Sequence, residues 1–296
     1  MTARSQAAGI APRRDRGLFP IAWEGHAPGR AAGFARPHAP MSAWTVEPCY
    51  MRSEELQKMY DLEDRYWWFV TRRHLVRDLV ARFSAPDPRI LDIGCGTGGT
   101  LDHLSGLGAL TGTDVSDDAL RLCRTRGHES LVRCAAENLG FADGTVDLAV
   151  LCDMLEHLDD DALGLSEVLR VLKPGGVAII TVPAHQWLWS EHDIALSHRR
   201  RYSRKELADR LEATGFQKVK LTYAVTFVFP IVCAFRLLRR LHLQGVGKPH
   251  TQLMSLPGWL NRALIWLHHL ENWIVIRAGF PFGTTLLAIV RKPESS

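Results

Sequence analysis

The spacing of apolar residues divides the chain into elements before any single residue stands out. Residues 53–83 carry apolar side chains at helical spacing, opened by Ser53-Glu-Glu-Leu. Ala85-Pro-Asp-Pro would end that helix, because proline cannot continue it. Arg89-Ile-Leu-Asp-Ile is a short apolar run that stops at glycines, as a buried strand does. Beyond it, helical stretches alternate with short apolar runs at 109–114, 147–152 and 176–182, and runs at 218–224 and 284–291 predict the last two strands. That alternation predicts βαβ units and a parallel sheet. No repeat of roughly 20–50 residues is visible.

Two regions depart from the alternation. Residues 1–45 are rich in Ala, Gly, Arg and Pro and show no apolar period, so a disordered tail is expected. The same composition fits a transit peptide, or translation that starts at Met41 or Met51. The second region, 226–283, is an insertion of helical pattern before the last strand. Its apolar start, Leu221 to Phe235, is roughly fifteen residues, short of the ~20 that cross a bilayer, and Pro230 interrupts it. Further on, Trp259, Trp266 and Trp273 recur every second helical turn, with Leu260, Leu267, Leu270 and Ile274 beside them. A tryptophan stripe near basic residues can lie in a membrane interface. It can equally cover the sheet or form a dimer contact. The expected organisation is a tail (1–45), a helical cap (46–86), an α/β domain (87–225), the insertion (226–283), and a final strand with its tail (284–296).

Composition changes this picture in three places. A net charge of +4 over 296 residues is too small to argue for nucleic acid, and none is expected. The distribution says more: no Asp or Glu occurs from Ala213 to Leu270, where Lys218, Lys220, Arg236, Arg239, Arg240, Lys248 and Arg262 all fall. Such a stretch suggests an anionic partner surface. Six cysteines (Cys49, Cys95, Cys123, Cys134, Cys152, Cys233) form no CxxC pair, which argues against a zinc ribbon or disulfide framework and fits a reducing cytoplasm. No charged start is followed by an apolar run of about 7–15 residues, so no secretory leader is expected. The expected location is cytoplasmic, peripheral on the inner membrane face.

The candidate chemistry begins at Ile90-Leu-Asp-Ile-Gly-Cys-Gly-Thr-Gly-Gly. A strand runs straight into Gly94, Gly96 and Gly98, which let the chain turn tightly and let a ligand approach the backbone. The helix predicted to follow would aim amide donors at that ligand. Asp114 ends the next strand, about 20 residues on, where a carboxylate can accept from both hydroxyls of a ribose. With Gly99 present the loop also matches a dinucleotide fingerprint, so it leaves NAD open.

The later motifs bear on that choice. Leu91-Asp-Ile-Gly, Gly112-Thr-Asp-Val-Ser, Ala136-Glu-Asn-Leu-Gly-Phe, Asp147-Leu-Ala-Val-Leu-Cys-Asp-Met-Leu-Glu-His-Leu and Leu172-Lys-Pro-Gly-Gly come in this order over roughly residues 88–183. As a set they resemble the class I methyltransferases that use S-adenosylmethionine (SAM), of the methyltransferase-11/23-like subgroup. The resemblance implies a Rossmann-like sheet of seven strands in the order 3-2-1-4-5-7-6, the seventh antiparallel, with flanking helices. It implies SAM as cofactor. Gly94, Cys95, Gly96 and Gly98 would line the methionine part, Asp92 would lie near the amino group, and Asp114 would hold the ribose. Val115 would pack on adenine, Ala136 and Glu137 would fall at its far end, and Asp153 would border the site. The family often has an Asp just before the Ala-Glu pair; here Ala135 stands there, so adenine recognition must come from elsewhere.

Methyl transfer needs an oriented acceptor, exclusion of water and, for an oxygen acceptor, removal of a proton. Asp153, Glu156 and His157 would share one helix face at i, i+3 and i+4. Their spacing resembles the acidic-x-x-Glu-His group of quinone-biosynthesis O-methyltransferases, which suggests Mg²⁺ there, but Glu-His-Leu also occurs in metal-free members and no metal is expected overall. After the fifth strand, His185, His192, Asp193 and His198 offer a base, and Arg200, Arg201 and Tyr202 could clamp an anionic acceptor. This segment looks like the acceptor side of a subgroup often found with polysaccharide and glycolipid genes. The candidate catalytic residues are His157, His192 and Asp193. Tyr66-Trp-Trp-Phe with Arg72-Arg73 could form a lid. The expected activity is methyl transfer, on oxygen, to a small or lipid-linked acceptor such as a sugar, glycolipid or quinone. An NAD-dependent oxidoreductase and a non-catalytic binding subunit of the same fold are the alternatives.

Overall fold

The computed structural model describes residues 51–242 and 256–294. The readings made for residues 1–45, Cys49 and Lys248 lie outside them. In chain order the elements are α1 (Ser53–Leu62), α2 (Trp67–Phe83), β1 (Arg89–Ile93), α3 (Gly99–Leu104), β2 (Ala109–Asp114), α4 (Asp117–Thr125), β3 (Leu131–Arg133), β4 (Val146–Cys152), α5 (Asp161–Val171), β5 (Leu172–Pro183), α6 (Glu191–Ala195), α7 (Arg204–Thr214), β6 (Gln217–Ala224), α8 (Phe229–His242), α9 (Gly258–Arg277) and β7 (Thr285–Arg291).

The sheet runs β3-β2-β1-β4-β5-β7-β6, the order that the resemblance implies. β7 is antiparallel to both β5 and β6, while the other pairs are parallel. Helices cover both faces, as a largely parallel sheet requires. Alternation within a strand sorts its side chains between them. Leu91 and Ile93 of β1 join α5 and α7 on one face through Leu165, Val168, Leu207 and Leu211. Ile90 of β1 and Leu148 and Val150 of β4 face Leu75, Val76, Leu79 and Val80 of α2 on the other. The parallel strands all end at one edge, so Gly94, Val115, Cys134 and Asp153 meet there, where ligands of open α/β sheets bind.

Two details differ from the sequence expectation. The single helix predicted over 53–83 is two helices. Arg65 and Tyr66 amides both close on the Leu62 carbonyl, and Tyr66 is extended (φ −79°, ψ 128°) where α2 begins. β3 carries no signal of its own because it is three residues long and none is buried.

The tryptophan stripe of α9 does not cover the sheet. Trp259, Trp266 and Trp273 are 67%, 70% and 54% exposed. The opposite face buries His268, Glu271, Asn272 and Val275. Polar groups hold that face against α2: Asn261 accepts from the Trp67 amide at 2.9 Å and donates to the Arg65 carbonyl at 2.7 Å, and Asn272 donates to the Thr71 carbonyl at 2.8 Å. These bonds bury polar side chains with partners and leave the apolar stripe outward. No helix among the described residues is long and apolar enough to cross a membrane.

Candidate active site

The glycine loop is built by backbone bonds and close contacts. The amides of Gly94 and Cys95 both donate to the Thr113 carbonyl at the end of β2, at 2.8 and 2.9 Å. Gly94 has φ +74°, and a Cβ there would lie 2.4 Å from Met154 Cγ. Cys95 turns its side chain away, with its Sγ 3.8 Å from the Cys123 Sγ, so it offers only backbone to the loop. Asp114 accepts from the Gly96 amide at 3.0 Å and the Ser116 amide at 2.9 Å. Each carboxylate oxygen keeps a lone pair for a further donor. Burial raises the pKa of Asp114 against those backbone donors. Val115 follows at the strand end. The next strand delivers Ala135, Ala136 and Glu137 beside it, with the Cys134 amide donating to the Asp114 carbonyl at 3.2 Å. Ala136 is buried, and Glu137 is half-buried with its pKa raised by burial.

Asp92 lies beneath this loop. It is 1% exposed, and its Oδ2 has no hydrogen-bond partner. Burial pushes its pKa up to about 7, with the Arg72 charge opposing and Asp114 adding to the rise. A buried carboxylate oxygen without a partner is costly unless a donor or a cation meets it. It thereby fits the amino group that the resemblance places there.

The turn between α1 and α2 closes over the loop. Thr97 Oγ1 donates to Glu63 at 2.6 Å, and Arg126 donates to Glu63 at 2.8 Å, Asp64 at 3.1 Å and Asp102 at 2.6 Å. A Cβ on Gly99 would lie 2.2 Å from Glu63 Oε2, so glycine there admits the covering turn as well as any ligand. Tyr60 of α1 lies under the Arg126 guanidinium, 4.6 Å from it. Sequence reading missed Glu63; an acid within a helical pattern gives no local sign of a distant partner.

At the ends of β4 and β5 the sequence expectation needs correcting. Asp153, Glu156 and His157 do not share a helix face. Asp153 takes a left-handed backbone (φ +52°), and only Leu155–His157 forms a short 3₁₀ turn. The Asp153 carboxylate pairs with Arg72 and accepts from Thr181 Oγ1 at 3.2 Å. Glu156 and His157 meet His198 instead, with ligand atoms within 4.8 Å of one another. Both Glu156 oxygens are buried without a hydrogen bond, and burial together with the Asp153 charge raises its pKa well above the ordinary range. One carboxylate and two imidazoles make a poor match to the oxygen shell of Mg²⁺.

The segment after β5 is engaged internally. Asp193 caps α6 through Ser190 and accepts from His198 at 3.0 Å and Arg201 at 2.7 Å. Burial works against its charge, but these partners hold it far below the usual carboxylate range. Arg200 pairs with Asp161 at 3.2 Å, and the Tyr202 hydroxyl donates to Asp161 at 2.7 Å. The three residues expected to clamp an acceptor are therefore taken up by two acids. Burial lowers the pKa of both His157 and His192 to about 4, so each is neutral at physiological pH.

The Methyltransferase domain family profile matches residues 91–180. An O-methyltransferase of Aspergillus sclerotiorum is 30% identical over 193 residues, which are 60% of this chain and 72% of that protein. The chain belongs to the class I SAM-dependent methyltransferase superfamily. A demethylmenaquinone methyltransferase of Corynebacterium urealyticum is 37% identical over 116 residues, 38% of this chain and 46% of that protein, so the match spans about half of that relative's length. Among solved structures, the [4+2]-cyclase SpnF superposes with a TM-score of 0.52 at 22% identity, over 84% of this chain and 98% of that one. That likeness shows the fold alone. A cyclase on the fold of this superfamily means that the reaction must be argued from the site.

Proposed function

We propose that the protein is a SAM-dependent methyltransferase that methylates an oxygen of a small or lipid-linked acceptor, such as a sugar, glycolipid or quinol, at a membrane surface. The observation that carries the SAM reading is the buried Asp92 oxygen without a partner, set beneath the glycine loop beside Asp114. Asp92 would receive the amino group of the methionine moiety, the loop backbone its carboxylate, and Asp114 the ribose. Val115, Ala136 and Glu137 would border the adenine. SAM, when bound, supplies an electrophilic methyl carbon on a sulfonium that leaves as a neutral thioether. Arg72 and Asp153, paired at the end of β4, would border the transfer site, and the cap over the loop would exclude water. None of this chemistry needs Mg²⁺. The outward tryptophans of α9, in a region poor in acids, support docking on an anionic lipid surface, from which an apolar acceptor could enter.

Calorimetry with SAM, S-adenosylhomocysteine and NAD tests the reading. SAM and S-adenosylhomocysteine should bind and NAD should not. Asp114→Ala should weaken SAM by about 3 kcal/mol, roughly a hundredfold, through two lost charged hydrogen bonds. Unchanged affinity in that variant would mean the ribose contact is misassigned, and absence of SAM binding to the wild type would sink the proposal.

A further inference from the structure

The turn after β4 and the loop after α6 meet in a cluster that the methyl-transfer reading does not use. Glu156, His157 and His198 each bring one ligand atom within 4.8 Å of the others. The Arg199 amide donates to the Glu156 carbonyl at 2.8 Å and holds the two segments together. Glu156 is fully buried, and both of its carboxylate oxygens lack a hydrogen-bond partner. The neighbouring acids are paired, Asp153 with Arg72, and Asp193 with Arg201 and His198. Among the described residues no arginine or lysine pairs with Glu156; the His198 ring faces it instead.

The hydrogen bond behind His198 decides which nitrogen faces Glu156. Nδ1 lies 3.0 Å from Asp193 Oδ1, a carboxylate that can only accept, so Nδ1 carries the proton. In the neutral ring Nε2 then holds a lone pair, and it lies 3.9 Å from Glu156 Oε1. Acceptor atoms thus confront one another across a short gap. A water has two protons, so it leaves at least one of the two Glu156 oxygens and the His198 nitrogen unmet. The His157 ring stands edge-on to His198, with centroids 4.8 Å apart. One carboxylate and two imidazoles disagree with Mg²⁺ but are a ligand set of Zn²⁺ and its neighbours. A carboxylate behind an imidazole, as Asp193 stands behind His198, is the arrangement that orients metal-binding histidines. Ligands of a tetrahedral Zn²⁺ lie roughly 3.4 Å apart, so a small closing of these side chains completes the shell.

We propose that Glu156, His157 and His198 bind a divalent transition-metal ion of the Zn²⁺ class. The ion ties the turn after β4 to the loop between α6 and α7. Asp153 is not a ligand, because Arg72 holds it, and His198 arrives from a separate segment in its place. Three protein ligands leave one position for water. No step of methyl transfer is assigned to the ion, so the proposal stands independently of the reaction proposed above.

The test uses the tag-free full chain, dialysed against EDTA and then titrated with ZnCl₂, CoCl₂ or MgCl₂. Zn²⁺ should bind the wild type by calorimetry and raise its Tm, while excess Mg²⁺ should neither bind nor displace it. Co²⁺ should give the strong visible absorption of a tetrahedral site. Glu156→Gln and His198→Ala should each weaken Zn²⁺ by at least about a hundredfold, more than the loss of a group behind a ligand costs. X-ray absorption of the Zn²⁺-loaded wild type, which depends on no variant, should show two imidazoles and no sulfur. Absence of Zn²⁺ binding to the wild type would overturn the proposal and leave the cluster to hydrogen bonding alone. So would undiminished binding in both variants, or a sulfur ligand, since either places the metal elsewhere. SAM binding is read in a separate titration, and its failure would sink the methyltransferase reading without touching this one.

Discussion

At the scale of single residues, Asp92 concentrates the electrostatics beneath the glycine loop. Its pKa is raised from 3.8 to about 7 by burial. Between those values the folded protein holds a proton that the unfolded chain has released, so this residue lowers stability as pH rises through that window. An ammonium group bound beside it would reverse the balance and favour the carboxylate. SAM binding at pH 6 should therefore release close to one proton. Calorimetry in buffers of different ionisation heat measures this directly, and Asp92→Asn should release none. Absence of proton release in the wild type would mean that Asp92 is already ionised in the free protein. Asp193 behaves in the opposite sense: held ionised by His198 and Arg201, it supports the fold at neutral pH and loses that contribution only in strong acid.

At the scale of elements, the cap and α9 each join distant parts of the chain. Glu63 ties the turn after α1 to Thr97 and Arg126. Glu63→Ala should cost about 2 kcal/mol in urea unfolding, less than a fully orphaned buried pair, because Arg126 keeps Asp64 and Asp102. Amide exchange in α1 should rise in the same variant, and Glu63→Gln, which can still accept from Thr97, should lose less. Equal stability of all three would show that the cap is held elsewhere. On α9, replacing Trp259, Trp266 and Trp273 by Ser should weaken sedimentation with phosphatidylglycerol vesicles about tenfold, ~1.4 kcal/mol, with SAM affinity unchanged. Unaltered vesicle binding would assign the stripe to another surface. The two faces separate cleanly because the tryptophans and His268 lie on opposite sides of the helix.

At the scale of the whole molecule, the sheet order places the glycine loop, the β4 and β5 ends and the insertion along one edge. Much of that was legible in the sequence. The strands from Arg89 onward declare themselves by short apolar runs, and the glycine loop with Asp114 depends on positions within one βαβ unit, where local signals suffice. β3 escaped notice because three half-exposed residues carry no periodicity. Asp153, Glu156 and His157 were misplaced because spacing implies a shared face only if the backbone is helical, and Asp153 is left-handed with its carboxylate drawn to Arg72. Arg200, Arg201 and Tyr202 looked available because their partners Asp161 and Asp193 are not adjacent in sequence. By itself, then, the sequence determined most of the strands and the glycine loop, since these follow from local periodicity, glycine and strand-end acids, while the family and the sheet order came with the resemblance of its ordered motifs. Only the tertiary structure decided which polar groups remain free. Whether Asp92 or Glu156 has a partner depends on contacts among segments that the chain brings together only when it folds.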